Sequence, residues 1–133
     1  MQIYCGTDII EVDRIKNAIT SNDKFKSRVF TQNEILDIDK ISSDVKYQRY
    51  AGRFAAKEAV FKALSKVLKE NNLTMDFIDV EVINNNELSN RPYVVITNES
   101  INNLFITKNI IIDVSISHVQ AMAVAMVVVK IED

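Results

Sequence analysis

The chain has 133 residues, 47% of them hydrophobic and 26% charged, with two Gly, one Pro and a net charge of −2. That balance describes one folded domain, 1–133, with a real core, and excludes a disordered chain. A single cysteine excludes an internal disulfide, and a single histidine excludes a zinc site built from several Cys and His ligands, so any metal is expected on oxygen.

QIYCGTDII (2–10) is apolar and β-compatible and carries Asp8 near its end. From Glu11 to Thr20 the spacing of Val12, Ile15, Ala18 and Ile19 is helical and leaves Arg14 on another face. Thr31 and Glu34 have the form of a capping box that opens a short helix to about Ile41. The main helix spans about Val45 to Lys69 and stops at Asn71-Asn72. Phe77 to Ile83 alternates as a strand and pairs in a hairpin with Tyr93 to Thr97 across the turn-like 84–92. A short helix over Asn98 to Phe105, capped by Asn98 or Thr97, precedes strands Ile110–Ser117 and Met122–Ile131. The last strand is apolar enough for burial on both faces. This order predicts an α+β fold, helices packed on a largely antiparallel sheet. No apolar run is long enough to span a bilayer and the N-terminus lacks a signal pattern, so the expected compartment is the cytoplasm.

The charge is uneven. Residues 46–69 carry seven bases (Lys46, Arg49, Arg53, Lys57, Lys62, Lys66, Lys69) against Glu58 alone, and residues 13–28 carry five against Asp13 and Asp23. Such zones favour phosphate-bearing ligands or acidic partners, and the absence of a nucleic-acid motif argues against RNA or DNA. Within RFAAKEAVFKAL (53–64), Glu58 shares a helical stripe with Phe54 and Phe61. A carboxylate there needs a partner. Lys62 at i+4 gives an ordinary helix salt bridge, whereas a divalent cation shared with Asp8 gives a site; Asp8 is equally suited to cap the helix after it. Two carboxylates without His or Cys suit magnesium, which takes substrate phosphates as its remaining ligands, and Arg53, Lys57 and Lys62 lie nearby to meet those phosphates. His118 ends SISH (115–118). Adjacent strand residues point to opposite faces, which disfavours a Ser-His nucleophile and leaves His118 as an acid-base group, a phosphate donor or a structural hydrogen-bonding residue. Cys5 is expected in the core.

GTDIIEVDRI (6–15), RFAAKEAVFKAL (53–64) and SISHVQAMAVAMV (115–127), with FTQNEI between the first two, together resemble the holo-acyl-carrier-protein synthases, the short class of 4′-phosphopantetheinyl transferases. The resemblance runs the whole length and implies that family's fold. It implies transfer of the phosphopantetheine arm of coenzyme A to a serine of apo acyl carrier protein for fatty-acid synthesis, giving holo carrier and adenosine 3′,5′-bisphosphate. It makes Asp8 and Glu58 the Mg2+ ligands, with Lys62 on the pyrophosphate or assisting the serine hydroxyl. Arg53, Lys57 and His118 would contact coenzyme A phosphates, and Arg14 would meet the acidic carrier. It further implies a homotrimer with active sites between subunits.

Overall fold

The computed structural model describes residues 1–85 and 90–132. Its elements are β1 (Gln2–Glu11), α1 (Val12–Ser21), α2 (Phe25–Val29), α3 (Gln32–Ile38), α4 (Val45–Glu70), β2 (Val80–Asn85), β3 (Arg91–Ile96), α5 (Glu99–Thr107), β4 (Ile110–His118) and β5 (Met122–Ile131). A three-stranded antiparallel sheet in the order β1-β5-β4 and a separate β2-β3 hairpin give the α+β architecture. Asp8 pairs with Ala125, which pairs on its other side with Ile116, so β5 separates the two edge strands.

Helix α4 lies across one face of the large sheet. Ala123, Ala125, Val127, Val129 and Ile131 of β5 point toward it and are buried, as are Ala55, Ala56, Ala59 and Ala63 of the helix. Small residues on both surfaces allow a close approach, and Gly6 of β1 shows how close: a Cβ there would sit 2.1 Å from the Ala59 carbonyl oxygen. Backbone, not a flexible side chain, occupies the space. Gly6→Ala is therefore expected to destabilise the fold by about 1–3 kcal/mol, read as a lower urea midpoint at unchanged slope.

The middle of α4 is buried nearly all round, from Tyr50 to Val60, so its apolar residues form no single stripe. The capping box forms as its sequence indicates: Thr31 Oγ1 accepts from Glu34 N and Thr31 N donates to Glu34 Oε1. Asn98, not Thr97, caps α5, accepting from Ile101 N at 3.1 Å. Asn71 caps α4 and Asn72 follows in the left-handed region, φ 56°.

Three expectations are corrected. The strand predicted from Phe77 begins only at Val80, because Phe77–Asp79 forms a 3-10 turn closed by Asp76 and Asp79. Glu81, within that strand, is buried and accepts from Thr31 Oγ1 and Asn33 Nδ2. The last strand is buried on one face only: Val124, Met126 and Val128 lie exposed on the side away from α4. Cys5 is exposed on that outer face rather than in the core. Residues 86–89 of the predicted hairpin turn fall outside the described residues.

Candidate active site

Strand β1 brings Asp8 to the helix. Gly6, Asp8 and Ile10 alternate onto the α4 side, and the tight seat of Gly6 against Ala59 fixes the strand's distance from the helix, next to Glu58 and about one turn before Lys62. Lys62 Nζ donates to the Thr7 carbonyl oxygen at 2.8 Å and to Asp8 Oδ1 at 3.3 Å. Glu58 is half-buried, flanked along the helix by Phe54 and Phe61, both of which pack on Phe77 with ring centroids 5.5 and 5.1 Å away. Burial pushes the Glu58 carboxyl above its ordinary pKa, the negative charge of Asp8 pushes it further, and Lys62 pulls against both. Asp8 does not cap α1; Glu11 stands at that position and no side chain caps the helix end.

Two carboxylates, the charge of Asp8 acting directly on Glu58, are a good partial shell for a hard cation. Among the described residues no cluster of three or more His, Cys, Asp or Glu offers a complete cage. The donor set thus fits magnesium, which keeps waters and accepts phosphate oxygens, better than a metal held by protein alone.

A second group of predicted residues lies at the other edge of the sheet. Arg53 and His118 line a cavity of about 510 Å³ together with Asp37, Arg49 and Gly52. Arg53 is 5% exposed; its Nη2 donates to Asp37 Oδ2 at 2.7 Å while its Nη1 is buried with no partner. A buried, unanswered guanidinium N–H in a cavity is a ready donor for an anion. His118 Nδ1 lies 2.9 Å from Gln48 Oε1, and burial, then the nearby Arg49, hold the imidazole below its ordinary pKa. The sequence reading named Arg49 only as part of the basic stretch and did not single out Asp37 or Gln48: Arg49 lies four residues before Arg53 and so shares its helix face, whereas no spacing ties Asp37 to Arg53 or Gln48 to His118.

The structure does not bring all the expected residues together. Arg53 and Glu58 are five apart on α4 and so emerge about 140° from each other around the helix. Asp8, Glu58 and Lys62 gather at the β1 edge, Arg49, Arg53 and His118 at the β4 edge. Arg14 is exposed on α1, with Val12 and Ile15 turned inward.

Lys57 is a correction. Its side chain is fully buried and Nζ donates to the carbonyl oxygens of Val29 (2.7 Å) and Phe77 (2.9 Å) and pairs with Glu34 Oε1 at 2.7 Å. Three partners satisfy its three hydrogens. It ties α2, α3 and the 3-10 turn to α4 and has no hydrogen left for a phosphate.

Residues 4–124 match the family model of the 4′-phosphopantetheinyl transferase superfamily. The chain is 40% identical over 130 residues to the holo-[acyl-carrier-protein] synthase of Clostridium tetani, covering 98% of this chain and 97% of that protein. It is 41% identical to that of Finegoldia magna over the full length of both. Among solved structures it is similar to a holo-(acyl-carrier-protein) synthase from Bacillus anthracis in complex with CoA, with TM-score 0.73, 32% identity, and coverage of 98% of this chain and 96% of that one. The Helicobacter pylori enzyme in complex with coenzyme A gives TM-score 0.70 and 30% identity, with 95% and 99% covered. A match this long, in sequence and in fold, places the chain in the 4′-phosphopantetheinyl transferase superfamily, among the holo-[acyl-carrier-protein] synthases.

Proposed function

We propose that this chain transfers 4′-phosphopantetheine from coenzyme A to a serine of apo acyl carrier protein, with Mg2+, in the cytoplasm, supplying holo carrier for fatty-acid synthesis. The observation that carries this reading is the Asp8, Glu58 and Lys62 constellation at the β1 edge. In the reaction the serine oxygen bonds to the phosphorus bearing the pantetheine arm and its hydroxyl proton passes to solvent, the bond from that phosphorus to the bridging pyrophosphate oxygen breaks, and adenosine 3′,5′-bisphosphate leaves. Asp8 and Glu58 would hold magnesium, which when bound supplies Lewis-acid stabilisation of charge on the pyrophosphate oxygens. Lys62, already aimed at Asp8, donates to the same oxygens and orients them against the incoming serine. Phe54 and Phe61 limit water on either side of Glu58. Arg49 and the free Nη1 of Arg53 bind the nucleotide's phosphates, with His118 beside them in the cavity.

One chain presents these two halves at opposite sheet edges, which is why we also propose a homotrimer whose sites form between subunits. Supporting it, the outer sheet face carries exposed Ile9 (62%), Ile111 (53%), Met126 (51%) and Ile3 (61%), an apolar surface of the kind that self-association covers. Co-expressed Asp8→Asn and Arg53→Ala chains are expected to regain activity that neither has alone, because a mixed assembly contains interfaces joining an intact β1 edge to an intact β4 edge. Activity of the mixture no greater than the sum of the two single variants would count against shared sites.

The basic first helix is the proposed landing surface for the acidic carrier. Arg14→Ala is expected to raise the KM for carrier about 5- to 10-fold at low salt with little change at high salt, since exposed charge is screened within about 8 Å at physiological ionic strength. Equal KM values for the variant and wild type at low salt would remove Arg14 from the interface.

A further inference from the structure

Lys62 reaches across from α4 to β1 and divides its hydrogens unequally. Nζ donates to the Thr7 carbonyl oxygen at 2.8 Å, an ordinary length, and to Asp8 Oδ1 at 3.3 Å, long for a bond between two charges. Its third hydrogen has no acceptor among the described residues. The backbone carbonyl is therefore the firm anchor and the carboxylate the looser one. Exposure separates the two charges further: the Lys62 side chain is 55% exposed and can swing, whereas that of Asp8 is 19% exposed. A largely buried carboxylate needs a counter-charge, and Lys62 supplies it. A divalent cation on Asp8 would need the same oxygens and would repel the ammonium beside it. Asp8 thus has two claimants that exclude each other.

We propose that Lys62 is an exchangeable counter-ion for Asp8 and so couples metal binding to substrate binding. The inference rests on the magnesium and coenzyme A reading above and adds an order to it. Before substrate arrives, Lys62 neutralises Asp8 and competes with the cation, so the protein alone binds metal weakly. The pyrophosphate then offers the ammonium several negative oxygens, which attract it more strongly than one carboxylate oxygen at the edge of hydrogen-bond length. The Thr7 carbonyl stays bonded and acts as the pivot, leaving two hydrogens of Nζ for phosphate. Asp8 is released to the cation by the same movement. Metal and coenzyme A strengthen each other's binding by one common factor, as linkage requires. The site is thereby completed only when the phosphates it acts on are in place.

Manganese, which takes the same oxygen ligands as magnesium, is the probe, its free concentration read by electron paramagnetic resonance. Wild type and Lys62→Met are titrated alone and with coenzyme A, the manganese held by coenzyme A itself being subtracted. Without coenzyme A, Lys62→Met is expected to bind manganese about 2- to 5-fold more tightly than wild type, the range of a partly exposed ion pair. It is expected to gain less from coenzyme A than wild type does. Lys66→Met removes a similarly exposed charge about one turn further along α4, which meets Tyr4 and Glu70 rather than Asp8, and is expected to match wild type. Equal manganese affinity in wild type and Lys62→Met would overturn the exchange and leave the magnesium reading standing. A gain in Lys66→Met as large as in Lys62→Met, or the same enhancement by coenzyme A in Lys62→Met as in wild type, would also overturn it, reducing the effect to surface charge. Manganese bound by no form, with or without coenzyme A, would overturn the exchange and the magnesium reading together.

Discussion

Glu58→Gln is expected to lose at least about 100-fold in kcat/KM, equivalent to about 2.7 kcal/mol of transition-state stabilisation, while the protein stays folded and its melting temperature holds or rises. The two halves of that expectation have one cause. Glu58 is desolvated among Phe54, Phe61 and Phe77 and faces the negative charge of Asp8. Its folded pKa lies above the unfolded value, so the folded state binds this proton more tightly, stability from this group grows as pH falls, and at neutral pH the charged carboxylate opposes folding. Glutamine keeps the shape and removes the penalty. What it also removes is the charge that would hold a divalent cation beside the pyrophosphate. Circular dichroism, a thermal melt and a magnesium titration of turnover check both halves. Wild-type turnover at ordinary magnesium would defeat the assignment of Glu58.

Lys57→Met is expected to do the reverse, costing about 3–5 kcal/mol of stability, a fall in melting temperature on the order of 10–20 °C. The methionine replaces much of the buried stem. It cannot replace the ammonium that answers Glu34 and the carbonyl oxygens of Val29 and Phe77, so a fully buried carboxylate is left uncompensated. Glu34 still caps α3 and accepts from Val82 N, which keeps it in place. Adding Glu34→Gln to Lys57→Met should recover part of the loss, because it removes the unpaired charge while its one amide oxygen keeps one of the two backbone bonds, to Thr31 N or to Val82 N. A phosphate-contacting lysine would behave otherwise: its loss would raise the KM for coenzyme A and leave the melt alone.

Lys57 and Glu58 show what a sequence discloses about a site and what it withholds. Both are charges in an apolar helix, and the conflict of each with its neighbours is visible in RFAAKEAVFKAL. Which conflict is structural and which is chemical depends on partners 20 or more residues away: Val29, Glu34 and Phe77 for one, Asp8 for the other. Elements whose signals are local were legible, among them the Thr31 capping box, the asparagine stop of α4 and the span of β5. Those decided by tertiary packing were not. The 3-10 turn at Phe77 exists because Asp76 and Asp79 bond each other's backbone, against a β-like alternation. Five-residue α2 is too short to show a period. Burial of Glu81 follows from Thr31 and Asn33, fifty residues earlier in the chain or nearly so.

Intact-mass analysis reads the transfer itself: apo acyl carrier protein is incubated with this protein and coenzyme A, with magnesium and with magnesium chelated. The expected result is a carrier heavier by one phosphopantetheine arm in the first case and unchanged in the second. A carrier of unchanged mass in both, with coenzyme A bound and several carriers tried, would mean that the protein binds without transferring.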